Sequence, residues 1–429
     1  MKFDRSLDLL ERAKKTIPSA AQTYSKSFRC FCEGAAPAFL QKGDGARVTD
    51  VDGNVFIDFL LGLGPVTIGY NDARINRAIR AQMEMGISFT QPHAVEVELA
   101  EKIVDIIPCA KMVKFVKNGS DATTAAVRLA RAFTGRDLVL CCGYHGFHDW
   151  YVGTTSNNRG VPGPVADLTA VFDYNDIKTL DTLLEQHRDR VAAVILEPVA
   201  VDEPENNFLE QVRRLCTKHS AVLIFDEVVT GFRVALGGAQ AHYNVTPDLC
   251  CMGKGLANGM PLSFLAGQQD IMAMIDQGAF VSTTFGGETL SMAAALETIR
   301  IMETENYFDH TWGLGDLWKA GVERIIEAKD AGKFACTKGL APHSGILFND
   351  CGPLSSLDFK SLFIQETAGS GILTLGVNNY CQAHTPADIE IYLDAVEKAL
   401  DTCLEAIDRG SADALLTGGR FNPVFIRNK

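Results

Sequence analysis

Four short segments carry residue types able to act together on one small molecule, and each follows an apolar run of strand length. Met252-Gly253-Lys254-Gly255-Leu256 places a lysine between two glycines. Lysine amines condense with aldehydes to Schiff bases, burial lowers their pKa, and small neighbours leave room for a bound ring. An exposed loop lysine would look the same in isolation. Leu223-Ile224-Phe225-Asp226-Glu227-Val228 ends an apolar run on a carboxylate, which is costly to desolvate without a cation. A protonated pyridine nitrogen would be such a cation, and so would Arg233 or Arg128 in an internal ion pair. Glu197 repeats the pattern after Val191–Leu196. Gly143-Tyr144-His145-Gly146 offers a flat aromatic face flanked by glycines, or a turn around a packed tyrosine. Asn118-Gly119-Ser120-Asp121 opens a helix. Its free N–H groups, glycine and hydroxyl suit an anion, and the same residues also suit a plain helix cap.

Together these parts describe a site for pyridoxal phosphate. The aldehyde needs a lysine, the ring nitrogen a carboxylate, the ring face an aromatic, and the phosphate a helix start. With its nitrogen protonated, that ring is an electron sink for a carbanion. Pairing with Asp226 would keep the proton there.

For the segments to meet, they must share one edge of a sheet. Ligands of open α/β sheets bind outside the carboxyl ends of the strands. The pattern predicts strands at Val113–Val116, Leu138–Cys141, Val191–Leu196, Ala221–Phe225 and Leu249–Met252. Helices are predicted between and around them at Asn71–Met85, Val95–Ile107, Asp121–Phe133, Leu180–His187, Glu210–His219 and Leu290–Glu305. Continuously apolar strands alternating with helices imply a mostly parallel sheet buried on both faces. Upstream, a first helix and an irregular polar stretch precede three strands, Ala38–Leu40, Arg47–Asp50 and Val55–Phe59. Gly43-Asp44-Gly45 and Asp52-Gly53-Asn54 supply the turns. Downstream come strands Gly345–Phe348 and Gly371–Thr374 and a last helix, Pro386–Ile407. The expected architecture is α/β, with a large domain over 65–310 and a smaller α+β domain drawn from both ends, 1–64 and 311–429.

Composition agrees with a globular chain of 429 residues, 47% hydrophobic and 22% charged, with a net charge of −13. That charge argues against nucleic acid and anionic membranes as partners. No run approaches the ~18 apolar residues of a membrane span. Met1–Glu11 reads as a polar amphipathic helix and not as a leader. Twelve cysteines are scattered, and Cys30-Phe31-Cys32 is too close for a zinc hook. The expectation is free thiols, no metal and a cytoplasmic protein.

The chain resembles the class III, fold type I, pyridoxal-phosphate aminotransferases, and within them the glutamate-1-semialdehyde aminomutase group. The resemblance runs through Gly45–Asp58, Val116–Asp137, Gly143–Gly146, Glu197-Pro198-Val199-Ala200, Phe225–Ala235, Gly253–Pro261 and Thr283–Gly287. It implies that Lys254 carries the cofactor and shuttles the proton, and that Asp226 pairs with the ring nitrogen. Tyr144 and Val228 would pack on the two ring faces, and Asn118, Gly119 and Ser120 would take the phosphate. Thr284 would reach the phosphate from a second subunit, so the resemblance implies a homodimer with shared sites. Arg29 falls where aminomutases hold a substrate carboxylate, and His145 and Glu197 fall in segments around the cofactor.

The chain also departs from the aminomutases. Trp150–Pro164 is shorter than their lid and carries Arg159, a second candidate anion contact. Asp202 replaces an Asn, Gly371–Thr385 is contracted without an acid or Arg, and Gly287-Glu288-Thr289 replaces Gly-Asn-Pro. The reading is therefore transamination between an amine or amino-acid donor and a carbonyl acceptor, with an anionic group on the substrate. Intramolecular amino transfer or ammonia elimination is the alternative. A non-catalytic scaffold is disfavoured by the intact lysine and carboxylate.

Overall fold

Val222–Glu227 has no exposed residue, and neither has Val191–Leu196 or Leu249–Met252 beside it. Only a strand covered on both faces can be that apolar. The computed structural model describes residues 1–199 and 201–423. Ala200, in the Glu197–Ala200 motif, and residues 424–429, the end of the expected small domain, lie outside the described residues.

The strands of the large sheet are β1 (Met112–Val116), β2 (Leu138–Cys142), β3 (Thr169–Val171), β4 (Val191–Leu196), β5 (Val222–Glu227), β6 (Leu249–Met252) and β7 (Ser263–Gly267), in the order β1-β7-β6-β5-β4-β2-β3. From β6 to β3 all pairs are parallel. β7 runs antiparallel to both β6 and β1. The sheet is thus mostly parallel, as expected. β3 and β7 were not anticipated. The first is three residues long, and the second follows Pro261 and ends on Gly267, so neither forms a long apolar run.

One face of the sheet packs on helix Gly119–Thr134, through Ala122, Ala126, Leu129 and Ala130 against Val139, Ile195 and Ile224. The other meets helices Ile177–Gln186 and Phe208–His219, through Leu180, Leu184 and Val212 against Leu140, Val194 and Leu223. Cys141 joins the first core and Cys142 the second, because successive side chains on a strand face opposite ways. All twelve cysteines are free.

Two compact units divide the chain. Of the described residues, the larger holds 64–67 and 73–308, and the other 1–63, 68–72 and 309–423. The smaller unit holds an antiparallel meander, Leu40–Asp44, Arg47–Asp50 and Val55–Asp58, to which Ile372–Leu373 adds in parallel. Its first strand differs from the expected Ala38–Leu40. Asp44 pairs with Arg47, so the turn falls at Gly45-Ala46 with Gly45 at φ +55°. A second pair, Ala335–Lys338 and Gly345–Phe348, is antiparallel.

Helix Tyr307–Ala328 was not anticipated, since Gly313, Gly315 and Gly321 interrupt its pattern. Gly315 is required there, because a Cβ would run into the Ala341 backbone. Helix Ser356–Gly369 escaped for the opposite reason. Phe359 and Ser361 through Gln365 are all buried, leaving no polar stripe to read. Among the described residues no helix is long and apolar enough to cross a membrane.

Candidate active site

Asp226 and Glu227 are neighbours at the carboxyl end of β5, so they face opposite sides of the sheet. Glu227 is fully satisfied within the fold. It accepts from Thr230 Oγ1 (2.9 Å), Gln240 Nε2 (3.0 Å), Gln240 N (3.2 Å) and the Ala239 N–H. Burial raises its pKa, against the effect of these donors. Among the described residues Asp226 has two hydrogen-bond partners, His145 Nδ1 at 2.8 Å and the Val228 N–H at 3.1 Å. A carboxylate offers about four acceptor sites, so capacity remains for another donor. Arg128 is not among its partners in the described residues and donates to the Phe280 carbonyl at 2.7 Å. Arg233 donates to the Gly64 carbonyl.

His145 is buried and lies face to face with Trp150 (centroids 6.0 Å apart, 13° between planes). Its carbonyl accepts from Thr123 Oγ1 at 2.9 Å. Its Nε2 has no hydrogen-bond partner among the described residues. The turn that carries it is shaped by close approaches. A Cβ on Gly143, at φ +106°, would lie 2.5 Å from Glu197 Oε2, and one on Gly146 would strike the Ser120 hydroxyl. Glu197 Oε2 accepts from the Tyr144 N–H at 2.8 Å. Burial and then the nearby Asp226 carboxylate raise the Glu197 pKa. Half of the Tyr144 side chain remains accessible.

Sequence reasoning missed Trp150 and Tyr151 as parts of this wall. Tyr151 donates to the Gly143 carbonyl at 2.9 Å and stands edge-on to Tyr144, 5.6 Å away. Trp150 Nε1 donates to Thr124 Oγ1 at 2.9 Å. The available signal is two adjacent aromatics five residues beyond His145, which the resemblance assigns to the shortened lid segment Trp150–Pro164.

Lys254 heads a short 3₁₀ turn, Lys254–Ala257, just after β6. Its φ of +33° is left-handed, where a non-glycine side chain is strained. Burial lowers its pKa, and Glu197 and Asp226 oppose that shift by their charge. Those two carboxylates are therefore its electrostatic neighbours. The backbone behind it is tight, as Thr67 Oγ1 donates to the Gly255 carbonyl at 3.0 Å.

At the carboxyl end of β1, Asn118 caps helix Gly119–Thr134, with its N–H on Asp121 Oδ2 at 2.9 Å. Both readings of this segment hold in part. Asp121 does cap the helix, but the N–H groups of Gly119 and Ser120 find no acceptor among the described residues. A Cβ on Gly119 would lie 2.8 Å from Val228 Cγ2, so Val228 borders the helix start.

The residues of β1, β2, β4, β5 and β6 named above thus come together. Thr284 is exposed in the turn before helix Thr289–Thr304, and Arg159 is exposed between short helices Asp149–Val152 and Gly163–Ala166. Arg29 belongs to the smaller unit, exposed and set 5.8 Å from the Phe28 ring centroid. Neither arginine makes an ion pair among the described residues.

The assembled set fits pyridoxal phosphate. It has an amine of lowered pKa, a buried carboxylate with spare acceptor capacity, an accessible ring face and unfilled N–H groups at a helix start. Asp181, Glu185 and His219 form the one cluster among the described residues close enough to share an ion. Lys218 Nζ already stands 2.8 Å from Glu185, in an ordinary ion pair.

Residues 32–350 match the family model described as Aminotransferase class-III. The chain is 37% identical over 334 residues to 3-aminobutyryl-CoA aminotransferase of Cloacimonas acidaminovorans (strain Evry), covering 76% of this chain and 80% of that protein. It is 34% identical over 430 residues to glutamate-1-semialdehyde 2,1-aminomutase of Desulfatibacillum aliphaticivorans, covering 93% and 99%. Among solved structures it is similar to the FumI protein of Sphingopyxis sp. MTA144, with a TM-score of 0.87, 30% identity and coverage of 96% and 100%. An omega-transaminase from Sphaerobacter thermophilus gives a TM-score of 0.83 at 28% identity, covering 92% and 97%.

Proposed function

The chain belongs to the class-III aminotransferases, enzymes that use pyridoxal phosphate to move an amino group between an amine or amino-acid donor and a carbonyl acceptor, and on that premise we propose which of its residues do so. When bound, the cofactor supplies an aldehyde for the amine and an electron sink for the charge left at the substrate Cα. Lys254 would hold it covalently, and its Nζ, when free, would take the substrate Cα proton and return it. A lowered pKa keeps more of that amine in its free-base form near neutrality. Asp226 would pair with the protonated ring nitrogen, and His145 orients the Asp226 carboxylate. Tyr144 and Val228 pack on the ring faces. Glu197 fixes the Tyr144 backbone. Asn118, Gly119 and Ser120 receive the phosphate.

The observation that carries this reading is the electrostatic grouping of Lys254 with Asp226 and Glu197 at adjacent strand ends. It is tested by screening amines and amino acids against the purified protein. Loss of the visible absorbance of lysine-bound cofactor, with a keto product in equal amount to aminated cofactor, is the expected result. Recovery of the original absorbance with release of ammonia would instead establish a lyase.

We assign the substrate an anionic group, for which Arg29 on the smaller unit and Arg159 on the larger are each a candidate contact, both exposed and without acidic partners among the described residues. The second reading, intramolecular amino transfer, is favoured by relatives named as aminomutases at 34–37% identity. The shortened 150–164 segment weighs against it.

The assembly we propose is a homodimer in which Thr284 completes the partner's phosphate site. Its support is an apolar surface on the larger unit. Phe280 is 75% exposed and Phe285 59%, and Met83, Met85, Ile87 and Phe89 are exposed as well. The two stretches adjoin, since the Thr289 N–H donates to the Ile87 carbonyl at 3.0 Å. A second copy would cover this surface. Free thiols support a reducing, cytoplasmic setting.

A further inference from the structure

Lys117 sits between the end of β1 and the Asn118–Ser120 helix start. Its side chain is 17% exposed, and Nζ donates to Glu288 Oε2 at 2.9 Å and reaches Ser291 Oγ at 3.4 Å. Glu288 is 13% exposed and opens helix Thr289–Thr304. It accepts from the Leu290 N–H (2.7 Å), the Ser291 hydroxyl (2.6 Å) and the Ser291 N–H (3.3 Å). Burial raises its carboxyl pKa, but the Ser291 hydroxyl and the Lys117 ammonium outweigh burial and leave it below the usual range. A largely buried ion pair therefore joins positions 171 residues apart in sequence.

Each partner borders a different phosphate-binding element, Lys117 the helix start of its own chain's site and Glu288 the turn offered to the partner subunit's site. Lys117 adjoins Asn118, and Glu288 directly follows the Thr283–Gly287 turn that carries Thr284. That turn runs against the end of β1, because a Cβ on Gly286 would lie 2.8 Å from the Phe115 carbonyl oxygen. The Asn118–Asp121 capping box fixes the helix start only to itself, and the Gly286 N–H bond to the Thr283 carbonyl (3.2 Å) fixes the turn only to itself. Among the described residues Lys117 ties one to the other through Glu288 and Ser291, while Arg128, further along the same helix, reaches only the Phe280 carbonyl ahead of the turn.

We propose that the Lys117–Glu288 ion pair positions the phosphate-binding helix start of its own site relative to the Thr284 turn that serves the partner subunit's site, making both residues positioning residues for the phosphate group of the cofactor. This rests on the assignment of Lys254 and Asn118–Ser120 to that cofactor. A rival account is purely electrostatic, with Lys117 acting as nearby positive charge. The two accounts separate on Glu288→Gln. That variant frees a cation beside the helix start, so charge alone predicts phosphate binding as tight as wild type or tighter. Loss of position predicts weaker binding.

The test titrates apo-enzyme with pyridoxal 5′-phosphate and with pyridoxal, which lacks the phosphate. Glu288→Gln is expected to lower the affinity ratio of the two by about tenfold, with pyridoxal affinity unchanged. Glu288→Asp keeps the charge and a good helix cap but withdraws the carboxylate from Lys117. It is expected to lower the ratio as well, and it serves if the Gln variant does not fold. A wild-type or higher ratio in the folded variants would overturn the proposal, as would equal loss for both compounds, which marks a merely structural role. Borohydride reduction of the wild-type complex and peptide mapping separate this from the cofactor assignment. Labelling absent from Lys254 would sink that assignment, whereas labelled Lys254 with an unchanged ratio would sink the clasp alone.

Discussion

His145 Nδ1 lies 2.8 Å from Asp226 Oδ2, and the two side chains are 0% and 5% exposed. An acid buried this deeply costs free energy unless it has partners, and His145 supplies one while fixing the carboxylate plane. The other Asp226 oxygen, held by the Val228 N–H, keeps its direction fixed as well.

Asp226→Asn is nearly isosteric, so cofactor binding should survive with reduced affinity. Removal of the substrate Cα proton should slow by roughly 10²- to 10⁴-fold, equivalent to about 3 to 5 kcal/mol in the barrier. Exchange of the Cα hydrogen of a donor amino acid with deuterated solvent, followed by NMR, measures this step. Wild-type exchange in the variant would show that Asp226 is not the ring-nitrogen partner.

Lys254→Ala should lose covalent attachment entirely. Borohydride treatment of the wild-type protein with its cofactor should place the label on the peptide containing Lys254. A label on any other lysine removes that residue from its proposed role.

Placing a charge in the exposed apolar surface should break the dimer. Phe285→Asp is expected to weaken self-association by at least about a hundredfold, read by sedimentation velocity, and to lower activity with it. A wild-type protein that sediments as a fully active monomer would contradict the shared site.

Stability of the smaller unit should fall on mild acidification. Burial pushes His384 down to about 4 from 6.5, with Asp388 opposing the shift and Arg47 and His310 adding to it. The ring stacks on Phe59 at 4.5 Å, and its Nε2 has no partner among the described residues. Between these two pKa values the unfolded chain binds a proton that the folded chain does not. Stability is therefore fully present above about pH 6.5 and is lost as pH falls toward 4, by up to about 3 kcal/mol. Urea melts across this range should show that slope, and His384→Asn should flatten it. An equal slope in the variant would assign the loss to other groups.

Much of the larger unit was legible because burial on both faces leaves unbroken apolar runs. Val191–Leu196 and Leu249–Met252 begin and end where the pattern places them. The site was legible as strand ends, since Asp226, Glu197 and Lys254 each break such a run abruptly. What stayed hidden depends on partners distant in sequence. Nothing local marks His145 as the Asp226 partner, or Lys117 as the Glu288 partner. Ser263–Gly267 is a strand only because two edges receive it, and Ser356–Gly369 hides its helical period by burying nearly every side.

The antiparallel insertion of β7 has a consequence for the order in which the chain can fold. β1 pairs only with β7, and the Ser263 hydroxyl reaches the Lys117 carbonyl, 146 residues earlier in sequence. Strands β2 through β6 can pair among themselves as synthesis proceeds, while β1 must wait until residue 267 has left the ribosome. Lys254 is therefore made, and its strand seated, before β1 has a strand to pair with, and until then only helix Gly119–Thr134 holds the Asn118–Ser120 edge to the sheet. The edge of the sheet at β1 is thus the last part of it to be completed.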